Sequence, residues 1–304
     1  MINYSVIIPH HNIPALLQRC LDSIPERDDI QIIVVDDNSD SNKVDFKKFP
    51  GIGRRNVEIY YTKEGKGAGF ARNVGLKYAK GRYLIFADAD DYFTPHAFDY
   101  FELYKHSNVD IVYFNCEAVY PETGECSDRA DDYRTIITDY SSGCLEKEYI
   151  RYNWPVPWAK MISRKLIKKH NILFDEVVAA NDAYFSLLSG FYADDIDVCN
   201  DSVYVVTVVK GSLSKRRDYS VIKSRFLVSL RSNQFLRDNN LKKYQHSVMY
   251  LYLYSIKLGI KVFCEFTRLL MKYRQNLFIG ISRWVNSFFS VLQSSKKDSN
   301  YIVK

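Results

Sequence analysis

The most constraining feature of this 304-residue chain is a pair of apolar segments that each end in a cluster of acidic residues. Gln31-Ile-Ile-Val-Val35 runs into Asp36-Asp37-Asn38-Ser39, and Tyr83-Leu-Ile-Phe86 runs into Asp88-Ala89-Asp90-Asp91. Continuous apolar runs are typical of central parallel strands, which are covered on both faces. Because ligands on open α/β sheets bind beyond the carboxyl ends of strands, the acidic clusters predict a polar site at one edge of such a sheet.

Strands and helices alternate along the first third of the chain. Residues 4–9 and 57–61 read as two further strands, and residues 14–24 and 70–79 have helical apolar spacing. This order predicts βαβ units and a Rossmann-like α/β fold, with a mostly parallel central sheet and helices on both faces. We expect this α/β domain to span residues 1–215, followed by a helical appendage at 216–304.

Charge also divides the chain. The formal net charge is +6, yet residues 1–209 hold 23 basic and 32 acidic residues, whereas residues 210–304 hold 19 basic and 4 acidic residues. The acidic part suits ligands bridged by a metal ion, and the basic part suits an anionic surface.

Composition excludes several classes of protein. With 47% hydrophobic and 26% charged residues, the chain is neither disordered nor a small disulfide scaffold. Its six cysteines form no C-x-x-C pair, so we expect buried free thiols and no zinc site. No signal-peptide pattern and no uncharged apolar run of about 18 residues occurs. We therefore expect a cytoplasmic protein without a membrane-spanning helix.

Asp36-Asp37-Asn38-Ser39 has two interpretations. These residue types favour turns and helix caps in any protein, but two acids at the end of an apolar strand are also well placed to bind a nucleobase or ribose. A response-regulator site would place its acids after the first strand. A dinucleotide-binding domain would place G-x-G-x-x-G after the first strand, where this chain has Pro9-His10-His11-Asn12. Because the acids follow the second strand and the glycine motif is absent, the sequence favours neither class.

Two further segments point to phosphate chemistry. Gly65-Lys-Gly-Ala-Gly69 lacks the ending of a Walker A motif, but its glycines permit close approach of a ligand, and Arg72 and Asn73 follow within reach of phosphate oxygens. Alternate residues of an extended strand point the same way, so Asp88 and Asp90 are expected to converge on one hard cation. Mg²⁺ or Mn²⁺ binds one or two carboxylates together with water and phosphate oxygens. A solvated acidic turn is the alternative.

Four segments in this order, residues 4–12, 32–39, 69–75 and 86–91, resemble the successive motifs of family 2 glycosyltransferases with the GT-A fold. Residues 157–162, 174–176 and 181–185 resemble the acceptor-side segment of that family, so the resemblance spans about residues 4–215. It implies inverting transfer of a sugar from a nucleotide-diphosphate donor, with UDP-sugar expected, to a glycan hydroxyl. A lipid-linked acceptor in bacterial surface polysaccharide biosynthesis is the expected setting.

The resemblance also implies a role for individual residues. Asp182 would take the proton of the acceptor hydroxyl, a weak nucleophile that needs a general base. Asp90, with Asp88, would hold Mn²⁺ or Mg²⁺ against the departing diphosphate. Residues assigned to nucleotide binding are Pro9, His10, Asn12, Asp37, Gly69, Arg72 and Asp88.

Some alternatives stay open at these positions. Asn181 stands where the family usually has Glu, and His10-His11 replaces a commoner small or aromatic pair. Asp182 could serve only as a helix N-cap, and Asp194 and Asp195 are rival bases. A catalytically silent scaffold of the same fold would not need the full set of acids. A sugar nucleotidyltransferase would need a glycine-rich loop with Arg after the first strand, which this chain lacks.

The segment 244–292 combines aromatic and aliphatic residues with spaced cations. On a continuous helix, at about 100° per residue, five cations share one narrow face: Lys257, Lys261, Arg268, Lys272 and Arg283. These cations form either a solvated face of helices that pack on the catalytic domain or the headgroup-facing side of a helix or helix pair in the bilayer interface. We expect the second arrangement, in which the appendage docks on the anionic inner face of the cell membrane and Trp284, Phe288 and Phe289 face acyl chains. Nucleic acid is not an expected partner, because no recognition motif accompanies the charge.

Overall fold

The computed structural model describes residues 1–208 and 216–279 and divides the chain into two compact units, Met1–Arg216 and Arg217–Lys304. The first unit contains a sheet of β1 (Tyr4–His10), β2 (Ile30–Asp37), β3 (Val57–Thr62), β4 (Tyr83–Phe86), β5 (Tyr92–Phe93), β6 (Ile111–Val119), β7 (Lys160–Ser163) and β8 (Ile196–Thr207). Its helices are α1 (Pro14–Asp22), α2 (Ala68–Tyr78), α3 (Ala97–Leu103), α4 (Asp131–Ser141), α5 (Lys147–Asn153), α6 (Arg164–Lys169) and α7 (Ala183–Tyr192).

The sheet is mixed and has the strand order β3-β2-β1-β4-β7-β6-β8-β5. The strands β3, β2, β1 and β4 are mutually parallel, so their carboxyl ends meet at one edge. Strand β7 runs antiparallel to both β4 and β6, and β6 pairs in parallel with β8. The predicted α/β fold and its parallel strands are confirmed, with antiparallel neighbours added on one side.

Helices cover both faces of the sheet. Successive residues of a strand point to opposite faces, so Tyr4 and Ile7 of β1 point in opposite directions. Ile7 meets α2 at Gly75, whereas the Tyr4 ring lies 6.5 Å from Phe98 and 6.3 Å from Phe101 of α3. The prediction of helices on both faces is therefore confirmed.

The second unit is helical, as predicted for the C-terminal appendage. It contains α8 (Tyr219–Asp238), α9 (Met249–Lys257) and α10 (Ile260–Lys272). Its core includes Ile222, Phe226, Leu230 and Leu270, with the Phe226 and Phe266 rings stacked at 4.3 Å. In residues 1–208 and 216–279, none of the helices combines the length and the apolar character needed to cross a bilayer.

The cations of the C-terminal segment do not share one continuous helix. Gly259 has a φ of +113°, a conformation that suits glycine, and it separates α9 from α10. Lys257 therefore lies on α9, whereas the other described cations of the stripe lie on α10. The remaining stripe and acyl-facing residues lie outside the described residues: Arg283, Trp284, Phe288 and Phe289.

The expectation of buried thiols is only half right. All six cysteines are free, but Cys126, Cys144 and Cys264 are exposed. The first two lie outside the strands and helices, and Cys264 lies on α10. Only Cys20, Cys116 and Cys199 are buried in the core.

The approach of α2 to β1 gives a prediction for Gly75. Alanine usually stabilises a helix interior over glycine by about 0.5–1 kcal/mol. Here a Cβ at Gly75 would lie 2.5 Å from Cγ2 of Ile7, which is fully buried. We expect Gly75→Ala to lower the free energy of unfolding in urea by about 1–3 kcal/mol instead.

The control is a double-mutant cycle, since Ile7→Ala removes the obstructing Cγ2 atom. Gly75→Ala should cost less in the Ile7→Ala background than in the parent chain. An equal cost in both backgrounds would contradict this close contact.

Candidate active site

A buried hydrogen-bond network joins the ends of β1 and β2. Nε2 of His10 accepts the N–H of Ile13 at 3.2 Å, so the ring proton lies on Nδ1, which donates to Asp36 Oδ2 at 2.7 Å. Asp36 also accepts from Ser39 N–H at 3.0 Å and Ser39 Oγ at 2.5 Å. Burial opposes ionisation of Asp36, but the hydrogen bonds from His10 and Ser39 prevail and lower its pKa. His10 thus holds the strand ends together, and its contact with a nucleotide stays a prediction.

Pro9 and Asn12 occupy the same rim. Pro9 is buried within β1 opposite Val35. Asn12 has a φ of +63°, donates its N–H to Ser39 Oγ at 2.8 Å and accepts the N–H of Asp40 at 2.7 Å. Asn12 therefore ties the loop after β1 to the loop after β2.

Asp37 is buried at the end of β2, and both of its carboxylate oxygens are hydrogen-bonded. Oδ1 accepts from Thr62 Oγ1 at 2.7 Å, and Oδ2 accepts the N–H of Gly67 at 2.5 Å. The carboxylate thereby joins the end of β3 to the glycine-rich loop. Because a carboxylate has about four lone-pair sites, it can still receive a ligand N–H.

The start of α2 packs tightly against the acceptor-side segment. Gly67, with a φ of +90°, precedes α2, so Gly69 lies inside the first turn of the helix. A Cβ at Gly69 would lie 2.0 Å from the carbonyl oxygen of Asp175. Asn73 exchanges two hydrogen bonds with the backbone of Phe174, at 2.9 and 2.8 Å. Asn73 is therefore a packing residue, contrary to the expectation that it faces phosphate, and the nucleotide contact of Gly69 stays a prediction.

Arg72 connects the two halves of the site. It is 4% exposed, forms an ion pair with the Asp88 carboxylate, and donates from Nη1 to Oδ1 of Asn181 at 2.7 Å. Its guanidinium carbon lies 5.3 Å from the centre of the Phe174 ring. One buried cation thus contacts both the end of β4 and the residue next to Asp182, and Asn181 supplies an amide oxygen as acceptor.

The acidic segment after β4 is a turn. The expectation that Asp88 and Asp90 are alternate residues of an extended strand is therefore wrong. The strand ends at Phe86, and the N–H of Asp91 donates to the carbonyl of Asp88 at 3.0 Å. Tyr204 Oη accepts the N–H of Asp88 at 2.8 Å and donates to Asp91 Oδ2 at 3.0 Å. Thr207 N–H donates to Asp91 Oδ1 at 2.7 Å. Strand β8 therefore holds the turn, a role that no local sequence signal marks.

Asp88 and Asp90 of this turn are carboxylates, the chemical type of ligand that a divalent cation prefers. Burial, and to a smaller extent the charge of Asp88, raises the pKa of Asp90 to about 6. Burial also raises the pKa of Asp91 well above its ordinary value. Within the described ranges no group of three or more His, Cys, Asp or Glu side chains could hold a metal ion. Mg²⁺ usually takes one or two carboxylates when phosphate oxygens and water complete its shell, so Asp88 and Asp90 would suffice in number.

Asp182 lies directly before α7. Its carbonyl accepts the N–H of Ser186 at 2.9 Å, but its side chain caps no backbone N–H, so capping does not explain this carboxylate. Burial raises its pKa, the nearby charge of Arg72 lowers it, and the charge of Asp88 raises it. A carboxylate whose pKa is raised is a stronger base than an ordinary carboxylate, which suits it to accept a proton.

The rival bases lie at the other edge of the sheet. Asp195 forms an ion pair with Lys147 at 2.9 Å, and its carbonyl accepts the N–H of Asp110 at 3.0 Å. Asp110 immediately precedes β6. Strand β7 pairs antiparallel with both β4 and β6, and this pairing places the start of β6 level with the start of β4. Asp194 and Asp195 are thus at the amino end of the strands, whereas Asp88 follows their carboxyl end.

A buried lysine that was not singled out from the sequence interacts electrostatically with Asp182. Lys160 of β7 is 1% exposed, its Nζ donates to the carbonyl of Trp154 at 2.9 Å, and it lies 5.3 Å from the centre of the Tyr113 ring. Burial lowers the pKa of Lys160 to about 7, although the charge of Asp182 acts in the opposite direction. Lys160 is therefore a buried basic group within electrostatic range of Asp182.

Comparisons with known proteins identify the family and the fold. The family model described as Glycosyl transferase family 2 matches residues 5–170. This range includes every predicted site residue except Asp182. The putative glycosyltransferase EpsH of Bacillus subtilis is 25% identical over 250 residues, covering 79% of this chain and 71% of EpsH.

Two solved structures share the fold. Staphylococcus aureus TarS 1–349 in complex with UDP-GlcNAc has a TM-score of 0.65 at 20% identity, covering 90% of this chain and 80% of that chain. The mannosyltransferase PcManGT of Pyrobaculum calidifontis, in complex with GDP-Man and Mn²⁺, has a TM-score of 0.57 at 17% identity, covering 95% and 80%.

Lys160 gives a prediction for the pH dependence of stability. Between pH 7 and 10.5 the unfolded chain binds a proton at this lysine that the folded chain does not. The free energy of unfolding should therefore rise with pH across this window, by at most about 1.4 kcal/mol per pH unit from this group. Lys160→Met should flatten the rise, as measured by urea unfolding at several pH values.

The matched control is Lys165→Met, since Lys165 is exposed on α6. Its stability curve should run parallel to that of the parent chain. If the Lys160→Met curve also ran parallel, the buried lysine would not be neutral in the folded protein.

Proposed function

Because the chain belongs to glycosyl transferase family 2, we propose that it transfers a sugar from a nucleotide-diphosphate donor to a hydroxyl of a glycan acceptor, with inversion at the anomeric carbon. The observation that carries this proposal is the double contact of Arg72 with Asp88 and Asn181. It joins the carboxylates after β4, which suit a diphosphate and its cation, to Asp182, which suits an acceptor hydroxyl. A lipid-linked glycan is the acceptor class that we propose.

The donor half of the proposal rests on the edge formed by β1, β2 and β4. Asp37 would receive the nucleobase with its remaining lone pairs, and Pro9, His10, Asn12 and Gly69 would shape the rim around it. Arg72 and Asp88 would bind the rest of the nucleotide. We propose a UDP-sugar as donor, supported by the fold shared with TarS in complex with UDP-GlcNAc. Since PcManGT was solved with GDP-Man, GDP-sugars are the comparison to include.

Asp90 and Asp88 are the residues that would hold Mn²⁺ or Mg²⁺. When bound, such a cation neutralises the charge that develops on the departing diphosphate. Arg72 contributes a second, permanent positive charge on the same side of the site. The turn that carries both acids is held by Tyr204 and Thr207, so its backbone is fixed before a cation binds.

Asp182 would act on the other side of the sugar. The acceptor oxygen attacks the anomeric carbon and forms a new C–O bond while the bond from that carbon to the diphosphate oxygen breaks. The hydroxyl proton passes to the Asp182 carboxylate, and the electron pair of the broken bond leaves with the diphosphate. Attack opposite the leaving group inverts the anomeric configuration.

Asp182→Asn tests the base. The variant keeps the side-chain volume but cannot take the proton, so transfer to acceptor should fall on the order of 10²–10⁴-fold while the Kd for UDP is unchanged. In the parent chain, transfer should decline as the pH falls through the raised pKa of Asp182, because the protonated carboxyl group is not a base.

Asp194→Asn is the matched control and should transfer at the parental rate. Both variants are compared by product formation with a panel of sugar nucleotides and by calorimetric titration of UDP. Unchanged transfer by Asp182→Asn would refute its role as the base and favour a catalytically silent binding protein or another acid.

Asp90→Ala tests the metal. Removing this carboxylate should abolish transfer and the Mn²⁺-dependent part of UDP binding, because the remaining ligand, Asp88, is also engaged by Arg72. Calorimetric titration of UDP with and without Mn²⁺ measures the effect. Asp99→Ala, which removes an exposed carboxylate of α3, should leave both intact. Full activity of Asp90→Ala without divalent cation would show that the metal assignment is wrong.

A further inference from the structure

The outer face of α10 carries two adjacent strips of different chemistry. At about 100° per residue, Ile260, Cys264 and Met271 fall within about 40° of one another. Lys261, Arg268 and Lys272 form a second strip centred about 80° further around the helix. We refer to these as the apolar strip and the cation strip.

The apolar strip is exposed, although α10 has a separate face for the core. Ile260 is 72% and Met271 65% exposed, and Cys264 is also exposed. The opposite face of the helix buries Phe266 and Leu270 in the core of the second unit. Isolated exposed apolar residues are ordinary, but three on one strip of a short helix form a surface that favours contact with an apolar medium.

The cation strip lacks acidic partners. In the part of the chain that the structure describes, no carboxylate lies within 4.0 Å of Lys261, Arg268 or Lys272. The one acid of α10, Glu265, is neutralised by Lys223 at 2.8 Å and also accepts from Tyr219 Oη at 2.8 Å. The outer face of α10 therefore presents positive charge beside apolar side chains without counter-charges of its own.

We propose that the outer face of α10 docks on an anionic lipid bilayer, with the apolar strip at the acyl boundary and the cation strip at the headgroups. An amphipathic helix in a membrane interface needs both strips side by side. Nucleic acid would engage the cations but gives no role to the apolar strip. A second copy of the chain would place like charges against each other, which opposes association.

Docking in this way is separate from sugar transfer. The cation strip and the apolar strip contain none of the residues placed at the candidate active site. Membrane contact would hold the enzyme at the surface where a lipid-linked acceptor is found. Failure of docking would thus leave transfer from a soluble donor to a soluble acceptor intact, and failure of transfer would leave docking intact.

Vesicle co-sedimentation of the full chain tests the cation strip. The parent chain should bind vesicles of phosphatidylcholine with phosphatidylglycerol, and not vesicles of phosphatidylcholine alone. Each cation at such a surface contributes about 1 kcal/mol, so Lys261→Gln, Arg268→Gln and Lys272→Gln together should weaken binding by about 100-fold. High salt should produce a similar loss in the parent chain.

The matched charge control removes three exposed lysines from α6: Lys165→Gln, Lys168→Gln and Lys169→Gln. This variant has the same net charge as the α10 variant and should bind vesicles like the parent chain. For the apolar strip, Ile260→Gln with Met271→Gln should also weaken binding, whereas Leu103→Gln, an exposed leucine of α3, should not.

Cys264 offers a direct readout of the apolar strip. In a Cys126→Ser, Cys144→Ser background it is the one remaining exposed cysteine of the described residues and can carry an environment-sensitive fluorophore. Its emission should shift to the blue with phosphatidylglycerol vesicles and stay unchanged with phosphatidylcholine alone.

Three results would overturn the proposal. The first is a parent chain that never co-sediments with phosphatidylglycerol vesicles. The second is an equal loss of binding in the α6 and α10 charge variants, which would indicate unspecific attraction. The third concerns the emission of the Cys264 label. The proposal fails if this emission does not shift when the protein is bound to vesicles, or if it shifts without lipid, on self-association or on addition of RNA.

Discussion

A buried guanidinium is the constraint on which the site depends. Arg72 comes from α2, its ion-pair partner Asp88 follows β4, and its amide partner Asn181 precedes α7. A charge removed from water must keep its partners, because loss of one leaves the other charge uncompensated. The neighbouring elements α2 and β4 are therefore held at one point with Asn181, which lies 109 residues beyond Arg72. The two proposed halves of the reaction meet at that point.

The parallel part of the sheet was predictable from sequence because its signals are local. Residues 31–35 and 83–86 are apolar throughout, and both lie in central strands whose carboxyl ends carry the acids. Motif order then led from these strands to the family that the comparisons show. The antiparallel insertion of β7 between β4 and β6 left no comparable signal, since β7 begins with a lysine and ends with a serine and is not apolar throughout.

The parts that sequence did not reveal depend on contacts between distant residues. The turn at Asp88 to Asp91 is closed by Tyr204 and Thr207, more than a hundred residues later, so strand alternation was the wrong guide to its shape. Asn73 lies where a phosphate contact was plausible, but the backbone of Phe174 uses its amide. Gly259, with its positive φ, separates α9 from α10. The spacing of the cations alone predicts one continuous helix.

The rim of the donor side is braced by its own side chains. Asn12 bonds across to the loop after β2, and Asp37 bonds both to β3 and to the glycine-rich loop. Loops fixed in this way have already lost their conformational entropy when the protein folds. If a nucleotide binds there as proposed, it does not have to order these loops, so a larger share of its contact energy appears as affinity.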